Sequence, residues 1–346
     1  MRKLILLGLV LSLLLSGCAS VPSRNDANNG LTKYNATFLT LFDTVTTIVG
    51  FAESEDAFRA DAQAIHDELL QYHRLFDIYN DYEGIHNLKT VNDSAGIAPV
   101  QVDPRIIDLL TDCVSYYELT GGKVNVAMGS VLYLWHEARN DGINDPANAR
   151  LPEWEDLTAA GEHTAIESLV VDKEASTVFL SDPNARLDVG AIAKGWSLQR
   201  VCEGYKSGLL ISLGGNVMAT GPKDENGTPW VVGVQNPDQA DNYLHTIYVS
   251  SGSVVTSGDY QRTYMVDGKL YHHIIDPETL YPSDYWRSVT IVHPDSGLAD
   301  ALSTALFLLP REEGQKLLDT CGAEAMWVDA GGNLYYSPGF EDLIRT

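Results

Sequence analysis

The sequence predicts an α+β fold. Three observations carry that expectation. Strand and helix patterns interleave without a regular βαβ beat, the second half is richer in strands, and the first half holds two long stretches with apolar residues at helical spacing. The chain has 346 residues, 45% hydrophobic and 20% charged, which excludes wholesale disorder and supplies ample material for a core.

In chain order, residues 38–51 (FLTLFDTVTTIVGF) are rich in Thr, Val and Ile and read as one strand. Residues 55–75 carry Ala57, Ala60, Ala64, Ile65, Leu69 and Tyr72 on one helical face. Residues 103–119 form a second helix, with Pro104 in its first turn and Ile106, Ile107, Leu110 and Val114 in its stripe. A short helix is expected at 131–139, a polar loop at 139–152 and a helical turn at 152–160. Strands are expected at 168–171, 177–180, 208–213, 230–234, 244–249, 254–256, 263–266 and 288–293, and helices at 193–206, 298–309 and 311–321. A hairpin, 325–328 with 333–335, turns across Ala330-Gly331-Gly332. There is no internal repeat, and one continuous domain is expected over 37–346.

The first residues read as an address. Arg2 and Lys3 precede an apolar run from Leu4 to Leu15, shorter than the about 18 residues a spanning helix needs. Leu15-Ser16-Gly17-Cys18 follows, small residues before a cysteine whose thiol can carry a lipid. The expectation is a lipoprotein signal peptide over 1–17, lipidation of Cys18, a flexible tether over 18–36, and an extracytoplasmic protein held to a bacterial membrane. Processing removes two positive charges from a chain already at −24, so neither nucleic acid nor anionic lipid is a charge-driven partner. Cys113, Cys202 and Cys321 sit in apolar surroundings and read as structural thiols.

Five short segments carry the chemistry. In Leu187-Asp188-Val189-Gly190-Ala191-Ile192-Ala193-Lys194-Gly195 a strand end turns into a helix whose free N–H groups and Lys194 suit a phosphate; a glycine turn with a solvent lysine fits as well. In Ile211-Ser212-Leu213-Gly214-Gly215-Asn216, Gly214 and Gly215 let backbone approach a flat or phosphorylated ligand. In Thr256-Ser257-Gly258-Asp259-Tyr260-Gln261-Arg262, Arg262 either pairs with Asp259 or faces a phosphate. Tyr271-His272-His273-Ile274-Ile275-Asp276-Pro277 offers adjacent histidines, which point to opposite faces of a strand; one of them acting as a base is preferred over a zinc pair. In Ala299-Asp300-Ala301-Leu302-Ser303-Thr304-Ala305, Asp300 and Thr304 lie four apart on a helix. A carboxylate and a hydroxyl suit Mg²⁺, which keeps waters and takes phosphate oxygens from its substrate. Together the five point to chemistry on a pyrophosphate.

In that order these motifs resemble the ApbE-type flavin transferases (FAD:protein FMN transferases), in their lipoprotein form, over about residues 42–307. The resemblance implies a T-fold-related catalytic domain with mixed or antiparallel sheets and flanking helices. It implies that FAD binds, that Mg²⁺ engages its pyrophosphate, and that FMN passes to a Thr or Ser of an acceptor protein while AMP leaves. Acceptors in the family are typically subunits of membrane redox pumps; another extracytoplasmic flavoprotein would also serve. By the same resemblance Asp188 and Lys194 contact FAD, and Ala191 (through its carbonyl), Asp300 and Thr304 hold the metal. His273 activates the acceptor hydroxyl, Phe42 stands where a Met often begins the first flavin-contacting strand, and Tyr79 matches an aromatic near the isoalloxazine or adenine. Gly214, Gly215, Ser257, Gly258, Asp259, Arg262 and Ile275 complete the expected FAD site.

The chain also departs from the family. Asn125-Val126-Ala127-Met128-Gly129-Ser130-Val131 replaces Asp-Pro-Thr-Val-Gly-Pro-Leu in an FAD-contacting loop; Ala127, Met128 and Gly129 are its expected contacts. Thr279-Leu280 replaces Thr-Gly, and because Leu280 cannot take a positive φ cheaply the turn there is expected to differ. Ser251-Gly252-Ser253-Val254 is the nearest local match to an acceptor motif, roughly Ser/Asp-Gly-Ala-Thr, and lacks its final hydroxyl, so the acceptor is another chain. Two alternatives fit the same residues: an Mg²⁺-dependent FAD pyrophosphatase releasing FMN and AMP, and a non-catalytic flavin-binding lipoprotein.

Overall fold

A computed structural model describes residues 30–205 and 208–346; the signal segment, Cys18 and most of the expected tether lie outside them. The strands are β1 Thr32–Leu41, β2 Thr44–Ala52, β3 Val100–Gln101, β4 Leu169–Asp172, β5 Thr177–Leu180, β6 Leu209–Leu213, β7 Asn216–Ala219, β8 Trp230–Asn236, β9 Gln239–Val249, β10 Gly252–Gly258, β11 Tyr264–Val266, β12 Lys269–Tyr271, β13 Ser288–His293, β14 Glu324–Val328 and β15 Leu334–Tyr336. The helices are α1 Glu55–Phe76, α2 Leu88–Asp93, α3 Pro104–Leu119, α4 Gly129–Asn144, α5 Trp154–Gly161, α6 Ala193–Cys202, α7 Ser296–Phe307 and α8 Arg311–Cys321. Strand β1 takes up residues expected in the tether.

An eight-stranded sheet ordered β1-β2-β6-β7-β10-β13-β14-β15 is the frame, antiparallel at every pairing. Both of its faces are covered, and side-chain alternation sorts them. Val255, Val289, Ile291, Ala325 and Trp327 pack in the main core with Ile65 and Leu69 of α1, Leu109 of α3, Leu198 of α6 and Leu302 of α7. Val254, Met326 and Val328 point the other way, against Trp230, Val232 and Ile247 of the β8–β9 ribbon. A third cluster joins Met128, Val131 and Trp135 of α4 and its entry to Leu157 of α5, Tyr264 and Val266 of β11, and Ile275. Among the described residues no helix is long and apolar enough to cross a membrane. The three cysteines among the described residues are free; Cys113 and Cys202 are buried, whereas Cys321 is only half-buried.

Helix termini follow the local rules. Ser54 caps α1, with its hydroxyl accepting the Ala57 N–H at 3.2 Å, and Asp103 caps α3 ahead of Pro104. Helix α4 runs to Asn144, well beyond the expected 131–139, and takes in part of the region read as loop.

Two expectations are corrected. Residues 38–51 are not one strand but a hairpin: Phe42 and Asp43, at φ 51° and 54°, form the two-residue turn between β1 and β2. Consecutive left-handed residues give the turn that matches strand twist, and Gly or Asn ordinarily supplies it. Here the Phe42 N–H donates to His73 Nδ1 at 3.2 Å and the two rings meet edge-on, holding the strained backbone. Leu280 takes the positive φ it was expected to avoid, at 59°. Its N–H donates to the Asp276 carbonyl at 2.8 Å, its carbonyl accepts the Trp135 indole N–H at 2.9 Å, and its side chain packs in the third cluster. Those contacts offset a left-handed cost of about 1 kcal/mol.

Comparing Leu280→Gly with Leu280→Ala isolates that cost, since both lose the packing and only Ala keeps the strain. The Gly variant should be the more stable of the two by about 1 kcal/mol in urea unfolding. An Ala variant as stable as Gly would show that position 280 is unstrained.

Candidate active site

One cavity of about 610 Å³ opens among the ends of α1, α4, α6 and α7 and the turns of the main sheet. The segment before α6 forms part of its wall. The Asp188 N–H donates to the Val126 carbonyl at 2.8 Å, and the Asp188 carboxylate accepts the Gly190 N–H at 2.8 Å. No side chain caps α6 at Ile192; within its first turn the Gly195 N–H goes instead to Asp300 Oδ2 at 2.8 Å. That bond requires glycine: a Cβ at 195 would lie 2.2 Å from the Ser296 carbonyl oxygen and 2.5 Å from Asp300 Cβ.

Asp300 is 3% exposed, and its second oxygen lies 3.6 Å from Lys194 Nζ. Thr304 lies one turn further along α7. The Asp300 carbonyl takes the Ser303 hydroxyl at 2.8 Å, and the Thr304 hydroxyl has no hydrogen-bond partner among the described residues. Ser257 bonds Ser303 Oγ at 2.8 Å and so braces β10 on α7. Asp300, Thr304, Lys194 and Ala191 all line the cavity. Among the described residues no three His, Cys, Asp or Glu gather as a metal cluster. A carboxylate, an alcohol and the Ala191 backbone are hard but few donors. They fit a Mg²⁺-type ion that completes its shell from water and phosphate, and do not fit zinc.

The two histidines divide, although neither lies in a strand as expected: β12 ends at Tyr271 and His273 sits at a bend. His272 Nε2 donates to the Ser283 carbonyl at 2.7 Å while its Nδ1 accepts the Ile274 N–H at 3.2 Å, so both nitrogens are engaged in structure. His273 lines the cavity, and its Nδ1 donates to the Gln261 carbonyl at 3.1 Å, leaving Nε2 as the acceptor. Burial, with Arg262 and His272 nearby, lowers the His273 pKa to about 3 in the free protein.

Phe42, Tyr79, Met128, Asp188, Gly214, Gly215, Ser257, Arg262 and Ile275 also border the cavity. Gly214 and Gly215, at φ 57° and 94°, make the β6–β7 turn, and a Cβ at 214 would strike Thr44 Oγ1 at 2.4 Å. Four expected contacts are absent from the wall. Ala127 is fully buried, and Gly129 is where α4 presses on the Arg186 carbonyl, 2.4 Å from an added Cβ. Gly258 makes room for the Tyr260 ring, and Asp259 accepts from Arg287 Nε at 2.7 Å. The Asp259–Arg262 alternative therefore resolves with Asp259 on Arg287 and Arg262 at the cavity. The sequence reading passed over Lys123, which lines the cavity and pairs with Asp276 at 3.3 Å and Glu278 at 2.8 Å, and over His73 and His136. Lys123 follows the Gly121-Gly122 pair, which could have marked it, whereas His73 and His136 lie within helices and carry no such signal.

Comparison with known proteins defines the class. A FAD:protein FMN transferase of Treponema pallidum (strain Nichols) is 33% identical over 278 residues, 75% of each chain. One of Klebsiella pneumoniae (strain 342) is 32% identical over 262 residues, 72% of this chain and 78% of that one. The chain is thus an enzyme of the transferase class. A sequence model of the ApbE family matches residues 41–327, and the chain belongs to that family. The crystal structure of the ApbE protein of Thermotoga maritima superposes with a TM-score of 0.79 at 31% identity, covering 91% of this chain and all of that one. The flavin transferase ApbE of Vibrio cholerae, 22% identical, shares the fold at a TM-score of 0.74 over 90% of this chain and 99% of its own.

The depressed His273 pKa has a thermodynamic signature. Between about pH 6.5 and 3 the unfolded chain binds a proton at this position that the folded chain does not, so this residue's contribution to stability falls as pH falls. His273→Gln removes that component. Urea unfolding should show the variant gaining on wild type between pH 7 and pH 5, and an unchanged difference would contradict the shift.

Proposed function

We propose that the chain is a divalent-metal-dependent FAD:protein FMN transferase. The observation that carries this reading is that Asp300, Thr304, Lys194 and His273, from three separate segments, open onto one cavity. The names of its relatives support the same reading.

The acceptor hydroxyl oxygen attacks the FMN-side phosphorus of bound FAD. A phosphoester bond to FMN forms, the bond from that phosphorus to the bridging oxygen breaks, and AMP leaves with that oxygen. His273 Nε2 takes the hydroxyl proton; the anionic substrate offsets the cations that depress its basicity in the free protein. The Lys194 ammonium faces the phosphoryl oxygens; within the first turn of α6 the Ala193 N–H is given to the Val189 carbonyl and the Gly195 N–H to Asp300. Asp300, Thr304 and the Ala191 carbonyl would hold Mg²⁺, which supplies charge neutralisation at the pyrophosphate. The acceptor is a Thr or Ser of another protein, a membrane redox-pump subunit or a second extracytoplasmic flavoprotein. Attachment through Cys18 would keep the enzyme at the membrane surface, and a Cys18→Ser variant should then fail to incorporate labelled palmitate.

Mass spectrometry of a co-incubated acceptor tests the reaction. Wild type should add FMN and release AMP in equal amounts. His273→Ala should still bind FAD but transfer about 10²–10⁴-fold more slowly, and full transfer by that variant would remove the base. Asp300→Ala should lose all metal-dependent turnover. Release of free FMN at the same rate with and without acceptor would favour the pyrophosphatase instead.

A further inference from the structure

His136 has no part in the chemistry above, yet it lines the same cavity from the middle of α4. Its Nδ1 is hydrogen-bonded to the Tyr79 hydroxyl, with the rings 6.0 Å apart at 45°. The two residues are 57 apart in sequence, so their contact ties the loop after α1 to α4 along one side of the cavity.

The backbone of Tyr79 is already fixed. The Asp77 carboxylate accepts the Tyr79 N–H at 2.7 Å, the Asn80 N–H at 3.1 Å and the Tyr82 hydroxyl at 2.7 Å. Tyr79 as a residue is nevertheless 52% exposed, and an exposed aromatic of that size on a loop would ordinarily sample several rotamers. Its bond to His136 removes that freedom and holds the ring where it lines the cavity. Among the described residues His136 has no second hydrogen-bond partner, so its Nε2 is uncommitted. Burial disfavours a second proton on the imidazole, as do Arg139 one turn along α4 and Arg262, while Asp188 acts the other way. A neutral imidazole that accepts at Nδ1 carries its hydrogen on Nε2.

We propose that His136 is a substrate-binding and positioning residue: it fixes the Tyr79 ring as a stacking platform for one planar ring system of the dinucleotide and presents Nε2–H to an acceptor atom on that ring's edge. Isoalloxazine and adenine share this chemistry. The proposal rests on the reading that the cavity takes FAD.

Flavin fluorescence for FAD and FMN, and calorimetry for AMP, can follow binding to the full chain carrying His136→Ala, Tyr79→Phe or both. His136→Ala should weaken FAD binding about tenfold, the loss of one hydrogen bond together with the order it imposes. Tyr79→Phe keeps the ring and should cost less. The double variant should bind no worse than His136→Ala, because the two residues act as one unit. In transfer assays KM for FAD should rise while kcat at saturation stays within about twofold. A loss shared by FMN but not AMP places the flavin on Tyr79, and the reverse places adenine there. Equal FAD binding by wild type and His136→Ala, additive single effects, or equal losses for FMN and AMP would each overturn the proposal. His136→Gln, which keeps an acceptor and a donor, should recover part of the affinity, and it carries the test if the alanine variant fails to fold. A wild-type chain that does not bind FAD would overturn the functional reading and this proposal with it, whereas normal FAD binding by both wild type and His136→Ala would overturn this proposal alone.

Discussion

The site depends on one contact: the N–H of Gly195 on a carboxylate oxygen of Asp300. It draws the start of α6 onto α7 at a separation that only a hydrogen at position 195 allows. It also divides the work of a buried carboxylate. One oxygen is satisfied by backbone, so the charge tolerates burial, and the other is left beside Lys194 at the cavity. The α6 amides, the lysine and the Thr304 hydroxyl all take their places from that pair of helices.

The opposite wall is built differently. It rests on the third hydrophobic cluster, whose Trp135 and Leu280 hold the 276–280 turn, while Lys123 bridges that turn to the entry of α4 through Asp276. This turn follows directly on His273. His273 is therefore oriented by packing and by the Gln261 carbonyl, whereas its neighbour His272 is spent on the backbone of Ser283 and Ile274. Two chemically identical side chains, both past the end of β12, acquire different duties from the backbone groups within their reach.

Much of this was legible in the sequence, and the reasons are specific. The i, i+4 spacing of Asp300 and Thr304 survives any choice of tertiary fold, and glycine pairs such as Gly214-Gly215 mark turns with little ambiguity. The α+β class followed from the absence of a βαβ beat, and the structure is antiparallel throughout its main sheet. What escaped were features without a local signature. Phe42-Asp43 turns a hairpin with neither Gly nor Asn, so the run read as continuous strand. The short elements α2, β3, β7 and β12 carry too few residues to show a period. Motif membership alone does not separate cavity-lining residues from packing ones: Gly129 presses on the Arg186 carbonyl, Gly258 makes room for the Tyr260 ring, and Asp259 pairs with Arg287. His136 stands in an ordinary helical stripe and gains meaning only from a tyrosine brought to it by the fold.

Phe42, Asp43 and Arg262 share a left-handed backbone, and all three border the cavity. Such conformations cost energy when the chain folds, not each time a molecule arrives. The rim is shaped in advance, so encounter with a ligand need not freeze a loose loop, and less of the interaction energy is consumed in ordering the protein. In this enzyme the route to altered affinity would then run through the bulk and charge of those three side chains, while lengthening the turns that carry them would undo the preparation itself.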